Sequence, residues 1–490
     1  MKIEKSMYLK KIALSLIVLG CSSLHAQGII LNDENLRNDL NWLTQQGVIQ
    51  ISTSTWPMSG DEIRRALSQA KINNRNQEKI LQSVKLNIAR QNTIFSASLF
   101  AESEQKDLPQ QFGDEIKAQY QMGLEANLGD SNWDAKIRIN AEKDLQIDHD
   151  QDINIEGSYV AGKVWNQWLI AGQIPTYWGP GQDGSLIRGD ASRPVYGVTM
   201  QRAEQTAFDK KWLSWLGNWQ YQAFVGRLDD YKAVPDTNLM GLRVTAQPWS
   251  ILEVGASRVI QIDGDGQPDG FKAYWNAFIG KDNECTSNGC TGNGNASNQL
   301  GGLDARLNFQ SLFHIPMSLY GQYVGEDEAG LLPSKKMYLA GLDYSSAWVD
   351  KPYRVYAEWV DTRTNGEAKG ISYNHHIYKD GYYQHGFALG HGLGGDAEMI
   401  SVGGNIYIDA MNRLSARVLS ADINQSNRVT NQAFSERDTL RAVDVTWQHQ
   451  LRVDLPIRFN AWASDSDVYG SDIGASVGFE IPLDKTLFGY

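Results

Sequence analysis

From about Thr93 to the C-terminus, apolar and polar residues alternate with a period of two, in segment after segment. Ile116, Ala118, Tyr120, Met122, Leu124, Ala126 and Leu128 alternate with Glu115, Lys117, Gln119, Gln121, Gly123, Glu125 and Asn127. The same pattern returns over Ala135–Ala141, Leu239–Ala246 and Leu303–Phe309, through Tyr353, Val355, Ala357 and Trp359, and in Ala475, Val477, Phe479 and Ile481. A strand points successive side chains to opposite faces, so each segment has one apolar face and one that can meet water. There are roughly eighteen such segments, each near the ten residues of a tilted membrane-spanning strand. Short links such as Leu128-Gly-Asp-Ser-Asn-Trp133 alternate with much longer polar ones, as expected of short periplasmic turns and long outer loops. A secreted sandwich or β-helix also alternates, but its solvent face does not require such ladders in nearly every segment. The expected fold is an all-β membrane barrel of about 18 antiparallel strands over residues 93–490. Phe488-Gly-Tyr490, just after the last strand, is the aromatic end expected of an outer-membrane barrel.

The first 92 residues read differently. Lys2, Lys5, Lys10 and Lys11 precede the apolar run Ile12 to Leu19, and Leu24-His25-Ala26 precedes Gln27, so residues 1–26 read as an export signal. Val18-Leu19-Gly20-Cys21 also resembles a lipoprotein box, with an atypical Leu at its second position. After Gly20 no apolar run approaches the length of a transmembrane helix. Residues 27–92 carry helical spacing. Leu36, Leu40 and Leu43 fall on one face before Gly47, Ser59-Gly-Asp-Glu62 forms a capping box ahead of Ile63, Ala66 and Ala70, and Asn74 with Gln77 opens a third helix. This small bundle is either a periplasmic contact module or a plug or cap that stabilises the barrel.

The formal charge of −12 argues against nucleic acid, since phosphate binding needs a basic face. Beyond Cys21, only Cys285 and Cys290 remain, in the polar segment from Asn283 to Asn298, where a disulfide stapling a surface loop is expected. The loop Asp263-Gly-Asp-Gly-Gln-Pro-Asp269 spaces carboxylates like a calcium loop, but Tyr274 stands where the bidentate Glu belongs, and an exposed hairpin tip is the alternative.

Two stretches carry candidate chemistry. In Gln173-Ile-Pro-Thr-Tyr-Trp-Gly-Pro-Gly-Gln-Asp-Gly-Ser-Leu-Ile-Arg188, Pro175 ends a strand and Gly179 and Gly181 permit a tight fold, with Tyr177, Trp178, Asp183, Ser185 and Arg188 expected on display. Flat rings beside a carboxylate, a hydroxyl and a guanidinium suit a sugar; a structural plug turn is the alternative. Tyr373 to His391 holds four of the eight His, at His375, His376, His385 and His391, among Tyr373, Tyr378, Tyr382 and Tyr383. It lacks zinc-helix spacing, and neither Ser185 nor Ser372 sits in a nucleophile elbow. A polar aromatic loop folded into a barrel mouth to bind sugar is the preferred reading.

Tyr177-Trp-Gly-Pro-Gly-Gln-Asp-Gly-Ser-Leu-Ile187, Leu36-Arg-Asn-Asp-Leu-Asn-Trp42 with Ser54-Thr-Trp-Pro57, and Tyr373-Asn-His375 with Ile377-Tyr-Lys-Asp-Gly381 and Leu389-Gly-His391 together resemble the Wzi-type outer-membrane capsule assembly proteins, motif by motif and in order. The resemblance implies an eighteen-stranded barrel in the Gram-negative outer membrane, a periplasmic helical bundle, and a lectin that holds capsular polysaccharide at the cell surface without cutting it. The Cys285–Cys290 loop is not associated with that family. Loop placement and side-chain chemistry nominate Tyr177, Trp178, Asp183, Arg188, Tyr373, His375, Tyr378, Lys379 and His391 for polysaccharide contact. No catalytic residue, metal or cofactor is expected. Expected partners are the capsular polysaccharide, outer-membrane lipid and lipopolysaccharide, and the barrel-insertion machinery, with the protein a monomer. The competing functions are a porin or exporter of saccharides, separable by conductance, and a hydrolase.

Overall fold

The computed structural model describes residues 28–114, 118–147, 151–280, 285–286, 289–290, 297–329, 332–364, 370–427, 431–452 and 454–484. The export signal with Cys21, and the terminal Phe488-Gly-Tyr490, lie outside these residues.

The alternating segments close into one antiparallel barrel. Setting aside the two-residue strand Ile153–Asn154, eighteen strands pair in chain order from Phe95–Glu102 to Gly470–Pro482. First and last then pair with each other, Ser476 opposite Glu102 and Pro482 opposite Ser96. Closure leaves no strand edge with unpaired amides, which hydrocarbon would not tolerate.

The two faces of the wall sort as the period of two requires. On Ala118–Gly129, Tyr120, Met122 and Leu124 are exposed outside, while Gln121 Nε2 donates to Glu142 inside at 3.2 Å. Ile137, Ile139, Leu169 and Val198 continue the outer apolar belt, and Ile400, Val402 and Val418 carry it across the far wall. Apolar surface on that scale is stable only against lipid. Trp133, Trp165, Trp249 and Trp348 ring one rim, as indoles do at a membrane–water boundary. Among the described residues no helix is long and apolar enough to cross a membrane; the strands do so.

That tryptophan-ringed rim carries short connections, at 130–132, 165–166, 250–251 and 349–350. The opposite rim carries most of the long ones, at 103–117, 174–195, 263–297, 362–397 and 424–437, whereas 203–217 is a long connection on the tryptophan-ringed rim.

Three helices occupy the short-turn end: α1 (Glu34–Gln45), α2 (Gly60–Ser68) and α3 (Arg75–Gln91). Asp33 caps α1 by accepting from Leu36 N at 2.8 Å, and Leu36, Leu40 and Leu43 fill the helical core with Ile63, Ile80 and Val84. The capping box at α2 forms only in half. Ser59 accepts from Asp61 N at 3.2 Å, but the Glu62 carboxylate pairs with Arg65 and accepts from Gln205 N at 2.7 Å. A tertiary donor wins over the local one.

The polar flank of α1 is also buried, because the helix lies inside the wall and meets the polar inner row of the strands. Asn35 donates to Gln448 at 2.7 Å, Gln45 to Ser318 at 2.9 Å, and Trp42 Nε1 to the Ser346 carbonyl at 3.1 Å. Arg354 donates to Asn38 at 2.6 Å, and Arg413 pairs with Asp39 at 3.3 Å. These contacts close the short-turn end of the lumen with α1.

Candidate functional site

The strand Gln167–Gln173 ends at Pro175, and the chain then turns into the barrel; 174–193 are buried without a break. Tyr177–Trp178 pairs with Thr55–Trp56 in a two-residue ladder, tying this loop to the helical cap. Gly179 holds φ +145, and a Cβ there would stand 2.8 Å from Gln322 Nε2, so glycine is required by both backbone and space. Trp178 Nε1 donates to Gln222 at 2.5 Å, and Tyr177 Oη donates to the carbonyls of Gly181 and Gly184. The Glu358 carboxylate, from the wall, accepts from Gln182 N at 2.7 Å and Asp183 N at 3.0 Å. Asp183 in turn accepts from Tyr356 Oη at 2.9 Å and pairs with Arg417 at 3.4 Å.

The second candidate stretch folds onto the first from the long-loop end. Tyr373 Oη donates to the Leu186 carbonyl at 2.6 Å, Tyr382 Oη to the Ile187 carbonyl at 2.8 Å, and Gly189 N to the Leu389 carbonyl at 3.0 Å. The His391 ring packs against Gly184, with Nδ1 accepting from Leu393 N at 3.3 Å. Burial and the nearby Arg417 guanidinium depress its pKa to about 3, so the imidazole is neutral. Burial likewise lowers the pKa of Arg188 and raises those of the Tyr177 and Tyr373 hydroxyls. Arg37 of α1 stacks over Phe112 at 4.3 Å and Tyr177 at 4.9 Å, closing the contact between cap and plug.

The structure brings the two stretches together but corrects the expectation that their side chains are on display. Tyr177, Trp178, Asp183, Ser185, Arg188, Tyr373, Tyr378 and His391 are all buried. The Tyr, Trp and Ser groups bond to their own loop, to neighbouring loops and to the inner wall, while Arg188 Nε and Nη1, Asp183 Oδ2 and His391 Nε2 have no hydrogen-bond partner among the described residues. A loop inside a barrel has no water for its backbone groups, so its polar side chains turn inward to satisfy them. Of the nominated residues, His375 is half-buried and Lys379 exposed. His375 Nδ1 accepts from Ile377 N and Tyr378 N at 3.3 Å, which orients its ring beside His376, 4.4 Å away. Asp380 accepts from Lys232 N at 2.6 Å and Ala233 N at 2.7 Å, and the exposed Gln432 donates to its carbonyl at 2.9 Å. His375, His376, Lys379, Lys232 and Gln432 therefore form a polar patch at the mouth. The sequence reading missed Lys232 and Gln432, which lie in other loops with no local signal linking them to Lys379.

Ser185 Oγ donates to the Trp178 carbonyl and Ser372 Oγ to that of Thr362, so both hydroxyls are engaged in buried bonds. Asp263 accepts from Asn238 at 3.1 Å and from Tyr274 Oη at 2.8 Å, which ties its loop to the start of the neighbouring strand and to the following helix. Among the described residues no group of three or more His, Cys, Asp or Glu is placed to hold a metal. Cys285 stands opposite Cys290 in a two-residue ladder. A polar compartment of about 410 Å³, lined by Asn87, Glu102, Lys106, Gln121, Lys136 and Glu480 among others, remains on one side of the lumen.

A closed barrel with a lipid-facing belt, a helical cap at one end and a folded-in plug at the other defines a class: plugged outer-membrane barrels. Residues 96–472 match the capsule assembly protein Wzi family, and the chain belongs to that family. It is 40% identical over 481 residues to a 55.8 kDa protein of the cps region of Klebsiella pneumoniae, covering 96% of this chain and 94% of that one. Among solved structures it is similar to Escherichia coli Wzi, described as an outer-membrane protein involved in group 1 capsule assembly and a carbohydrate-binding β-barrel. There the TM-score is 0.86 and the identity 38%, over 93% of this chain and 99% of that one.

Proposed function

We propose that the protein is a non-enzymatic outer-membrane lectin that attaches capsular polysaccharide to the cell surface during capsule assembly. The observation that carries this reading is the plug: two long loops spend their polar groups on one another and on the wall, which suits a rigid platform better than a wide pore. The likeness to a carbohydrate-binding barrel of capsule assembly supports the ligand class. His375 and Lys379, with His376, Lys232 and Gln432, are the groups that contact sugar; Tyr177, Trp178, Asp183, Arg188, Tyr373, Tyr378 and His391 hold the platform beneath them. Single contacts of this kind are weak, and a repeating polymer engages many copies on one cell, so avidity supplies retention.

The test is a deletion strain in which capsular polysaccharide is quantified in cell-bound and medium fractions. Polymer that shifts into the medium at unchanged total supports attachment; unchanged fractions reject it. The polar lumenal compartment favours a second reading, a narrow saccharide exporter, for which single-channel conductance well above background is the required result.

A further inference from the structure

The strand Leu252–Ile262 presents alternate faces. Glu253, Ser257 and Gln261 point inward, since they accept from Ser52 or bond to Arg243 and the Gly381 carbonyl. Val254, Arg258, Ile260 and Ile262 therefore point outward, to the membrane. Val254 is 37% exposed as that row requires, yet Ile260 and Ile262 are each 1% exposed. The cover is helix α4 (Gly270–Phe278), which folds back from the long-loop rim over the outside of the barrel and sets Ala273, Tyr274 and Ala277 on Ile260, Ile262 and Met240.

Tyr274 Oη, within 2.8 Å of both Asp263 and Asn238, pins α4 to the rim. Further down, Arg258 donates to the Ala277 carbonyl at 3.4 Å, placing a cation at the helix C-terminus. So α4 starts at the rim and descends along the wall. Its other face carries Phe271, Trp275, Phe278 and Ile279, all exposed, with Phe271 and Trp275 stacked at 6.4 Å. A helix apolar on both faces is at home only in a core or in lipid, and among the described residues one of these faces has no protein over it.

Beside α4 the wall holds a groove of about 490 Å³, lined by Val198, Met200, Val225, Leu242, Ile260 and Phe278 among others. That volume lies in the range of small-molecule sites. Arg258 is the charged residue of the lining and is committed to α4 and Gln299. Lys272 stands exposed on the first turn of α4, at the helix end nearest the long-loop rim.

We infer that this groove is a lipid site in which one acyl chain of lipopolysaccharide lies along the outer wall beside α4, its phosphate near Lys272. The groove is continuous with the apolar belt, so hydrocarbon is what meets it. It opens at the long-loop end, which places it in the outer leaflet. The inference does not depend on polysaccharide binding.

The test is native mass spectrometry of the full-length protein extracted in mild detergent, then incubated with purified lipopolysaccharide lacking O-antigen. The expected result is one retained lipopolysaccharide per barrel. Leu242→Trp and Val198→Trp, which fill the groove from two strands, should each lower that occupancy at least five-fold, whereas Ile400→Trp on the opposite wall should not. Val198 is already 41% exposed, so its variant carries the test if Leu242→Trp fails to give the heat-modifiable folded band. No retained lipopolysaccharide, a phospholipid in its place, or equal occupancy in folded groove variants overturns the inference.

Discussion

Arg354 joins three parts of the molecule: it stands on the wall, donates to Asn38 of α1 at 2.6 Å and to Gln182 of the plug at 3.2 Å, and pairs with Asp343. Asp343 is shared with Arg306, which stands two strands away along the wall. Arg354→Met removes two charge-assisted bonds to neutral partners while Arg306 still neutralises Asp343. At about 1.5 kcal/mol each, the loss is about 3 kcal/mol. Asp343→Asn is the harsher change, because it leaves two buried guanidinium groups facing an amide, a situation that costs about 3–5 kcal/mol for even one orphaned charge. Arg354→Lys keeps the charge but not the planar fork and should recover about half of the Met deficit. The assay is urea unfolding of the refolded protein in detergent, monitored by the loss of its heat-modifiable gel mobility. The expected order of midpoints is wild type, Arg354→Lys, Arg354→Met, Asp343→Asn. A wild-type midpoint for Arg354→Met, or a reversed order for the last two, refutes the account of how wall, cap and plug are joined.

Four further outcomes rest on particular contacts. His391 has its folded pKa depressed to about 3 from an ordinary 6.5, so the unfolded chain binds the proton first; its contribution is intact above pH 6.5 and is lost as pH falls from there towards 3. His391→Gln should flatten that acid slope in urea midpoints measured from pH 7 to pH 4. Gly184→Ala places a methyl 2.4 Å from the His391 ring and should destabilise the plug by about 1–3 kcal/mol, read as a lower unfolding midpoint and higher open-channel current. Cys285 and Cys290, opposite each other in their ladder, should resist alkylation until a reductant is added, in an intact-mass experiment. Lys379→Glu at the exposed mouth should leave folding unchanged and lower cell-bound capsule several-fold, whereas an unchanged bound fraction removes Lys379 from the binding patch.

The barrel itself was legible in the chain. A period of two is a local property, and Tyr120, Met122 and Leu124 face lipid for the same reason that they alternate with Gln121 and Glu125. The helices of residues 34–91 were legible too, because caps such as Asp33 and Asn74 act within one turn. The direction of the loops was not. Tyr177, Trp178 and Asp183 have the composition of a displayed sugar surface, and that composition serves equally for a plug whose partners, Gln222, Glu358 and Arg417, lie far along the chain. Only closure of the wall brings those inward-facing residues around the loop. The same holds for α4, which the sequence reading missed: that one apolar face covers Ile260 and the other is exposed depends on which side of the wall the chain returns. Short-range periodicity therefore determined the barrel and its helices. Inside or outside, plug or display, was decided by contacts that exist only after the first and last strands pair.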